Sequence, residues 1–178
     1  MKKSVQSRSA KATPRQSSKM PSTPTTPKMN GRRIQVRRSG VHGKGVFAVA
    51  PIAAGDKVIE YTGEVITWKE ALRRHPHDPA DPNHTFFFHI DDKHVIDAKI
   101  GGNAARWINH ACDTNCEADE EDGRIFIKAK RDLLPGEELF YDYGLVIDER
   151  LTPRLKREYP CRCGSHQCRG TLLAPKRR

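Results

Sequence analysis

The chain has 178 residues, of which 36% are hydrophobic, and its mean hydropathy is −0.74. This length suffices for one domain with a modest core. No apolar run approaches the roughly 20 residues of a transmembrane helix, and no apolar stretch follows Lys2 and Lys3 as in a secretory signal peptide. We therefore expect a soluble protein that neither spans a membrane nor is secreted.

Positive charge is concentrated at the front of the chain. The net charge is +10, but the first 55 residues contain 12 Lys and Arg and no acidic residue, whereas the remaining 123 contain 20 basic and 22 acidic residues. A basic tail either attracts nucleic acid or another acidic partner, or it keeps the protein in solution. The sequence leaves both interpretations open.

Residues 1 to about 30 are mostly Ser, Thr, Pro, Lys and Gln, with scarcely any large apolar side chain. Such a segment cannot bury enough surface to offset the entropy that it loses on ordering. We predict a disordered basic tail over 1–31, a folded domain over 32–147 and a C-terminal segment over 148–178 that ends in a basic stretch.

Short extended segments predominate after the tail. Alternating apolar and polar residues predict strands at 34–36, 46–49, 57–61, 86–90, 94–96, 124–129 and 138–141. The second and third of these flank a turn, and 86–90 with 94–96 form a predicted hairpin. The predicted fold class is therefore mostly β with short helices and small sheets.

Two short helices are predicted between these strands. Thr67 and Glu70 have the spacing of a capping box, which predicts a helix from Trp68 to Arg74 that ends before Pro76. Residues 78–82, rich in Asp and Pro, form a predicted loop. Residues 103–108 are predicted as a second short helix.

Four of the five cysteines fit a metal site. Cys161, Cys163 and Cys168 form C-x-C-x4-C, and Cys112 stands apart in the middle of the chain. An odd number of closely spaced cysteines disfavours a disulfide framework and favours a metal in a reducing compartment. We predict a Zn²⁺ held by these four thiolates, so the C-terminus must fold back onto the segment around residue 110. The fifth, Cys116, is predicted to be a buried thiol.

Each of three further motifs is weak evidence of function when it is taken alone. Gly43-Lys44-Gly45 either lets the backbone approach a ligand closely or forms an ordinary turn. Tyr141 and Tyr143 project to the same side of an extended segment, where they line a channel or simply end a strand. Residues 109–116 carry polar side chains too densely for a core strand.

Two other features have a structural and a functional interpretation. The acidic run at 117–122 either attracts a basic peptide or forms a solvated hairpin tip. Trp68 and Trp107 are interpreted as core or helix anchors rather than as a cage for methylated lysine.

The order of the motifs is more informative than any one of them. The chain contains, in this order, G-K-G at 43–45, I-E-Y-T-G-E at 59–64, N-H-A-C-D-T-N at 109–115, E-L-F-Y-D-Y at 138–143 and the C-terminal cysteines. Over roughly residues 33–172 this pattern resembles the SET-domain protein lysine methyltransferases with a post-SET zinc segment. The short sequence segments at 90–92, 95–98 and 102–106 are most similar to those of the trithorax/MLL class.

The resemblance implies small curved β-sheets around a pseudoknot, with S-adenosylmethionine as the methyl donor and a narrow channel for the target lysine. It makes Tyr143 the catalytic tyrosine, Tyr61 a residue that aligns the target amine, and Tyr141 the residue that sets the extent of methylation. It gives the four cysteines a structural zinc ion. It assigns donor binding to His42, Lys44, Gly45, Phe86, Asn109, His110 and Arg162.

The function that the resemblance implies is methylation of a lysine in a basic protein, with histone H3 as the expected substrate. The alternatives are a catalytically weak module that binds chromatin or nucleic acid through its basic tail, and a methyltransferase of a non-histone protein. We expect a monomer. Its location is nuclear or chromatin-associated if the source is eukaryotic or the protein is delivered into a host, and cytoplasmic if it acts inside a bacterium.

Overall fold

A computed structural model describes residues 31–74, 85–147 and 150–175. The predicted basic tail up to residue 30 and the predicted loop at 78–82 lie outside the described residues. Within the described ranges, short strands predominate over helices, which confirms the predicted fold class.

The strands are β1 (Ile34–Arg38), β2 (Lys44–Ala48), β3 (Lys57–Tyr61), β4 (Glu64–Thr67), β5 (Phe87–His89), β6 (His94–Asp97), β7 (Asn109–His110), β8 (Cys116–Glu121), β9 (Arg124–Ala129) and β10 (Phe140–Tyr141). They form small antiparallel sheets: β1 pairs with β2, β9 lies between β3 and β8, and β6 lies between β4 and β5. The short strands β7 and β10 pair in parallel.

The helices are α1 (Trp68–Arg74), α2 (Pro153–Glu158) and a 3₁₀ helix (Ala104–Trp107). Among the described residues, no helix has both the length and the apolar character needed to cross a membrane.

The core lies between the small sheets, because each of them contributes one apolar face. On β9, Ile125, Ile127 and Ala129 are buried and alternate with the half-buried Phe126, as the period of two in a strand requires. The pairing of β3 with β9 places Tyr61 opposite Ile125 and so brings this tyrosine into the same core.

Helix α1 begins and ends at the predicted residues. The backbone N–H of Glu70 donates to Oγ1 of Thr67 at 3.2 Å, which caps the helix as the sequence predicted. The carboxylate of Glu70 pairs with Arg74 in the last turn. Arg74 also contacts the buried Asp97 on β6 at 3.3 Å, while Ala71 packs into a small apolar cluster. The helix is thus fixed to the sheet by the contact of Arg74 with Asp97 and by the apolar packing of Ala71.

The acidic run forms most of strand β8 and reaches the tip of the β8–β9 hairpin, so the hairpin interpretation holds for its last residues. Its first residues belong to β8, and only Asp122 and Gly123 make the turn to β9, both with positive φ. Lys128 on β9 pairs with Asp119 and Glu121 on β8. Cross-strand pairing with a cation therefore offsets the repulsion among the acidic side chains of β8.

The first two residues of the polar segment at 109–116 form the buried strand β7, so the expectation that its polarity excludes a core strand was wrong there, whereas residues 111–115 lie outside any strand. Asn109 and His110 are 8% and 4% exposed and pair with β10. Asn115 also binds the segment that contains β10. Its Nδ2 donates to the carbonyl of Glu138 at 2.7 Å, and its Oδ1 accepts from the N–H of Phe140 at 2.8 Å. Buried polar side chains are tolerated here because they have hydrogen-bond partners.

The C-terminal segment returns to the domain after α2. Thr152 caps this helix, since its Oγ1 accepts from the N–H of Leu155 at 3.1 Å, and Leu155 is buried. Farther along, the N–H of Ala174 donates to the carbonyl of Leu145 at 2.8 Å, and Leu145 forms a bridge with Leu173. The C-terminal segment therefore folds back onto the rest of the domain, here at Leu145.

Candidate active site

A cavity of about 750 Å³ opens beside the β7–β10 pair. The loop before β2, the start of β5, the 3₁₀ helix with β7, and the C-terminal segment contribute its walls. Residues already named from the sequence that line it are His42, Lys44, Phe86, Asn109, His110, Tyr143 and Arg162. Further lining residues include Val41, Thr85, Arg106, Trp107, Arg157, Tyr159 and Leu172.

The carboxamide of Asn109 is anchored at its nitrogen. Nδ2 lies 2.9 Å from the carbonyl of Lys44 and 3.0 Å from Oε1 of Glu138, and the carbonyl of His42 is at 3.4 Å. An amide nitrogen has two protons, which the two shorter contacts use. Asn109 therefore ties the loop before β2 to the β10 segment while its side chain forms part of the cavity wall.

The ring of His110 connects the tyrosine segment with the cysteines. Its Nδ1 accepts from the backbone N–H of Tyr143 at 3.2 Å, which leaves the proton on Nε2, and Nε2 lies 3.6 Å from Sγ of Cys112. Burial lowers the pKa of His110, and the nearby Arg169 lowers it further against the opposing effect of Asp142. The imidazole is therefore neutral at pH 7.

One wall of the cavity combines aromatic rings with cations. Nζ of Lys44 lies 4.5 Å from the ring centroid of Trp107, and the guanidinium carbon of Arg106 lies 4.8 Å from the same ring. Phe86 meets Trp107 edge to face, with the centroids 5.0 Å apart. Cations held against aromatic faces keep a positive potential next to a flat apolar surface, which suits a ligand with both a carboxylate and an aromatic base.

Three tyrosines and a phenylalanine form a chain of aromatic contacts that reaches the cavity. Tyr143, on the cavity wall, lies 5.0 Å from Tyr141, which lies 6.2 Å from Phe88, and Phe88 lies 5.0 Å from Tyr61, all measured between ring centroids. The hydroxyl of Tyr143 donates to the carbonyl of Ile108 at 2.9 Å. The rings of Tyr141 and Tyr143 therefore lie next to each other, although β10 ends at Tyr141.

Burial raises the pKa of the phenols of Tyr61 and Tyr141 above its ordinary value, and desolvation of the hydroxyl raises the pKa of Tyr143 although 36% of this residue is exposed. All three hydroxyls are consequently protonated at neutral pH. They can donate or accept hydrogen bonds that orient a substrate, but they do not provide a phenolate base.

The remote cysteine and the C-terminal three lie together, as predicted. The Sγ atoms of Cys112, Cys161, Cys163 and Cys168 all lie within 4.8 Å of one another, and those of Cys112 and Cys161 are 3.7 Å apart. A tetrahedral zinc with bonds of about 2.3 Å places its sulfur ligands about 3.8 Å apart. The Cys112–Cys161 distance matches this value, and the four thiols lie close enough together to hold a Zn²⁺ ion.

The thiols of this cluster differ in acidity. Burial raises the pKa of Cys112 and Cys161. Burial also acts to raise the pKa of Cys163, but backbone hydrogen bonds and the neighbouring thiols lower it to about 6. Zinc binding must displace the protons of the less acidic thiols, so the affinity for the metal falls as the pH falls.

Comparison with known families identifies the domain that carries this site. A profile described as the SET domain matches residues 43–144, which is more than half of the chain. The chain belongs to the SET-domain family. The matched range begins at Gly43, directly before β2, and includes the paired strands β7 and β10 and all three tyrosines of the aromatic chain.

Several relatives of this SET-domain protein have names that state an activity. Histone-lysine N-methyltransferase set1 of Dictyostelium discoideum is 41% identical over 157 residues, 85% of this chain. Trithorax of Drosophila melanogaster is 39% identical over 143 residues, 78% of this chain, and histone-lysine N-methyltransferase 2B of Homo sapiens is 38% identical over 149 residues, 82% of this chain. The alignments cover 10%, 4% and 5% of these relatives, so the chain spans a tenth of their length or less.

The C-terminal segment is joined to the SET domain at Arg169. Its backbone N–H donates to Sγ of Cys112 at 3.4 Å, and its guanidinium forms two hydrogen bonds of 2.6 Å with the carboxylate of Asp142. Asp142 lies between Tyr141 and Tyr143 in the sequence. One residue thus contacts both the cysteine cluster and the tyrosine segment.

The predicted site residues of the SET domain and the C-terminal segment fall into two groups. Those on the cavity wall and the aromatic chain adjoin one another, and the cysteines lie on the far side of His110. Gly45 was predicted to line the donor site but is not among the lining residues of the cavity, and a Cβ at this position would lie 2.0 Å from Oε1 of Glu138.

Sequence reasoning missed two parts of the cavity. Trp107 was interpreted as an anchor, but it forms a cavity wall with Arg106 and Lys44. Trp107 lies two residues before Asn109 in the sequence, and this proximity could have indicated that it belongs to the same site. Helix α2, which precedes the lining residue Tyr159, was not predicted, although Thr152 followed by Pro is a common helix start.

Proposed function

We propose that this SET-domain protein is a protein-lysine N-methyltransferase that uses S-adenosylmethionine and acts on a histone tail, with histone H3 as the expected substrate. The observation that carries the proposal is the position of Tyr143. This residue lies where the cavity meets the chain of aromatic rings. A donor held in the cavity and a lysine entering along the aromatic side chains would meet at its hydroxyl.

The cavity offers complementary groups to each part of the donor. The positive wall of Lys44 and Arg106 suits the carboxylate of its amino-acid part, and the Oδ1 atom of Asn109 suits the ammonium. The flat surfaces of Trp107 and the C-terminal segment around Arg162 suit the adenine. These assignments extend the resemblance-based prediction for Lys44, Asn109 and Arg162.

The reaction requires a neutral amine in line with the bond between the methyl group and sulfur. Deprotonation of a lysine with a pKa of ~10.4 costs about 5 kcal/mol at neutral pH. A buried aromatic channel lowers this cost because it disfavours the ammonium ion. The neutral phenols of Tyr61 and Tyr143 can then orient the lone pair of the nitrogen.

When bound, the donor supplies an electrophilic methyl group on a sulfonium. The new nitrogen–carbon bond forms as the sulfur–carbon bond breaks, the electron pair stays on sulfur, and the amine loses one proton overall. The residues contribute position and exclusion of water, since Tyr141 is buried between Tyr143 and Phe88. No phenolate has to act as a base.

The proposed zinc ion has a structural role. Cys112, Cys161, Cys163 and Cys168 would hold it, and four thiolates leave no open coordination position for substrate. The cluster would keep Tyr159 and Arg162 at the cavity and so complete the donor site from the C-terminal side.

The names of the relatives support the substrate class. The relatives described above are eukaryotic proteins, and all three are named as histone-lysine N-methyltransferases. We therefore propose action on chromatin in a nucleus. The basic tail before residue 31 is proposed to add a contact with nucleic acid.

The test is incubation of the protein with tritiated S-adenosylmethionine, histone octamer and a cell lysate, followed by mapping of the labelled lysines. We expect the label in the H3 tail. Labelling of a different protein would contradict the substrate assignment but not the activity. Failure to bind the donor at all would contradict the enzyme assignment and favour a chromatin-binding module.

A further inference from the structure

Glu138 lies behind the wall of the donor cavity and touches two motifs that the sequence analysis treated separately. Its carboxylate contacts Nδ2 of Asn109 at 3.0 Å and occupies the space beside the backbone of Gly45. We propose that Glu138 is a positioning residue of the donor site, which fixes the carboxamide of Asn109 with its oxygen towards the donor. This inference rests on the proposed function.

The first step of the argument is the orientation of the Asn109 amide. The acceptors around Nδ2 are the carbonyls of Lys44 and His42 and the carboxylate of Glu138. If the oxygen and nitrogen of the Asn109 amide exchanged places, Oδ1 would face these acceptor oxygens, and the two hydrogen bonds that Nδ2 donates would be lost. Within the described residues no hydrogen bond reaches Oδ1 of Asn109, so this atom remains available to an ammonium group in the cavity.

Glu138 is the strongest of these acceptors. A hydrogen bond to a carboxylate is roughly twice as strong as one between neutral groups. The backbone of Glu138 is itself held in place, because it forms a bridge with Phe47 and its carbonyl accepts from Nδ2 of Asn115 at 2.7 Å. The backbone from which the Glu138 side chain extends to Asn109 is therefore fixed in position.

Gly45 is explained by the same contact. A Cβ on residue 45 would lie 2.0 Å from Oε1 and 2.8 Å from Cδ of Glu138, far inside van der Waals contact. The carboxylate is the mobile end of its side chain, so it would move and leave Asn109. An alanine at position 45 is therefore expected to act on the donor site through Glu138.

This relationship predicts a non-additive pair of substitutions. Glu138→Ala and Gly45→Ala should each raise the dissociation constant for S-adenosylmethionine about tenfold, the effect of one lost hydrogen bond to a charged group. The double variant should bind about as well as either single variant, because the contact is lost only once. Glu138→Gln, which keeps an oxygen acceptor, should stay within about threefold of the wild type.

Calorimetric titration with S-adenosylmethionine and thermal unfolding measure donor binding and stability separately. Glu137→Ala is the matched control, since it removes the adjacent carboxylate and its pair with Arg131 but does not contact Asn109. It should lower the melting temperature and leave donor binding unchanged. A positioning role also requires the KM for the donor to rise in Glu138→Ala while kcat at saturating donor changes little.

Two results would overturn the inference. One is wild-type donor affinity in Glu138→Ala, and the other is additive losses in the double variant. If the wild type binds no donor, the proposed function fails, and the side-chain amide of Asn109 in ¹H–¹⁵N spectra still decides the contact. Its protons should exchange faster with solvent in Glu138→Ala than in Glu138→Gln, and equal exchange in both variants would contradict the role of Glu138.

Discussion

Asp142 and Arg169 form a bidentate ion pair in which each guanidinium nitrogen lies 2.6 Å from a carboxylate oxygen. Planar, two-point contacts of this kind fix orientation as well as distance. Because the N–H of Arg169 also contacts Cys112, the pair links the cysteine cluster to the backbone between Tyr141 and Tyr143. The C-terminal segment is thereby coupled to the tyrosines as well as to the cavity wall.

Replacement of Arg169 tests this coupling. We expect Arg169→Met to lower the free energy of unfolding by about 1–3 kcal/mol, because it removes charge-assisted hydrogen bonds to a partly buried carboxylate. It should also weaken donor binding, as measured by titration calorimetry. Arg169→Lys is the matched control that keeps the charge and loses the two-point geometry, and we expect an intermediate effect. Full recovery by lysine would show that charge alone is sufficient.

The same pair makes stability depend on pH. Burial acts to raise the pKa of Asp142, but the hydrogen bonds from Arg169 and from the N–H of Gly144 outweigh it and lower the pKa. A carboxyl group whose pKa is lowered by folding stabilises the folded state above its unfolded pKa of about 4. That contribution is lost as the pH falls through the lowered value.

Asp142→Asn is therefore expected to be less stable than the wild type by a constant amount between pH 7 and pH 5. The amount is about 1 kcal/mol, since the carboxylate is 40% exposed and solvent screens the pair. Below about pH 4 the difference should shrink. Urea unfolding at a series of pH values measures it, and a difference that grows with acidity would contradict the sign of this argument.

Loss of the metal should weaken the donor site as well as the fold. Cys163→Ser removes one of the four proposed zinc ligands, so Tyr159 and Arg162 lose their fixed position at the cavity. We expect reduced zinc content by mass spectrometry and at least about a tenfold rise in the dissociation constant for S-adenosylmethionine. Full donor affinity in a folded, zinc-free protein would refute the link.

The number of methyl groups added should depend on Tyr141. Its hydroxyl can hold a water molecule in space that a more highly methylated amine requires, so the wild type is expected to stop at one or two methyl groups. Tyr141→Phe should shift products towards trimethyllysine, as measured by mass spectrometry of an H3 peptide. Efficient trimethylation by the wild type that the substitution leaves unchanged would contradict this role.

Local rules explain the elements that the sequence predicted well. Helix α1 starts after Thr67 because a capping hydroxyl and a following Glu are local features, and its end was marked by the proline at residue 76. In strand β9, the buried residues Ile125, Ile127 and Ala129 alternate with more exposed residues. The cysteine cluster was predictable because thiols at metal-ligand spacing have few other uses in a chain of this kind.

Long-range partners explain the errors. Strand β8 is stabilised by Lys128 on the next strand, and a single segment of sequence does not reveal such a pair. Asn109 and His110 tolerate burial only because Glu138 and Tyr143 supply hydrogen bonds from 29 and 33 residues away. The contact of Gly45 with Glu138 likewise depends on the pairing of β7 with β10, two strands that lie far apart in the sequence.

The central claim is that methyl transfer takes place at the hydroxyl of Tyr143. The most direct test compares the wild type with Tyr143→Phe in single-turnover transfer of a labelled methyl group from S-adenosylmethionine to an H3 peptide. We expect transfer to slow by about 100-fold or more, since misplaced reactants lose this much rate, while the dissociation constant for the donor stays within about twofold. A wild-type rate in Tyr143→Phe, or no transfer to lysine by the wild type, would contradict the account.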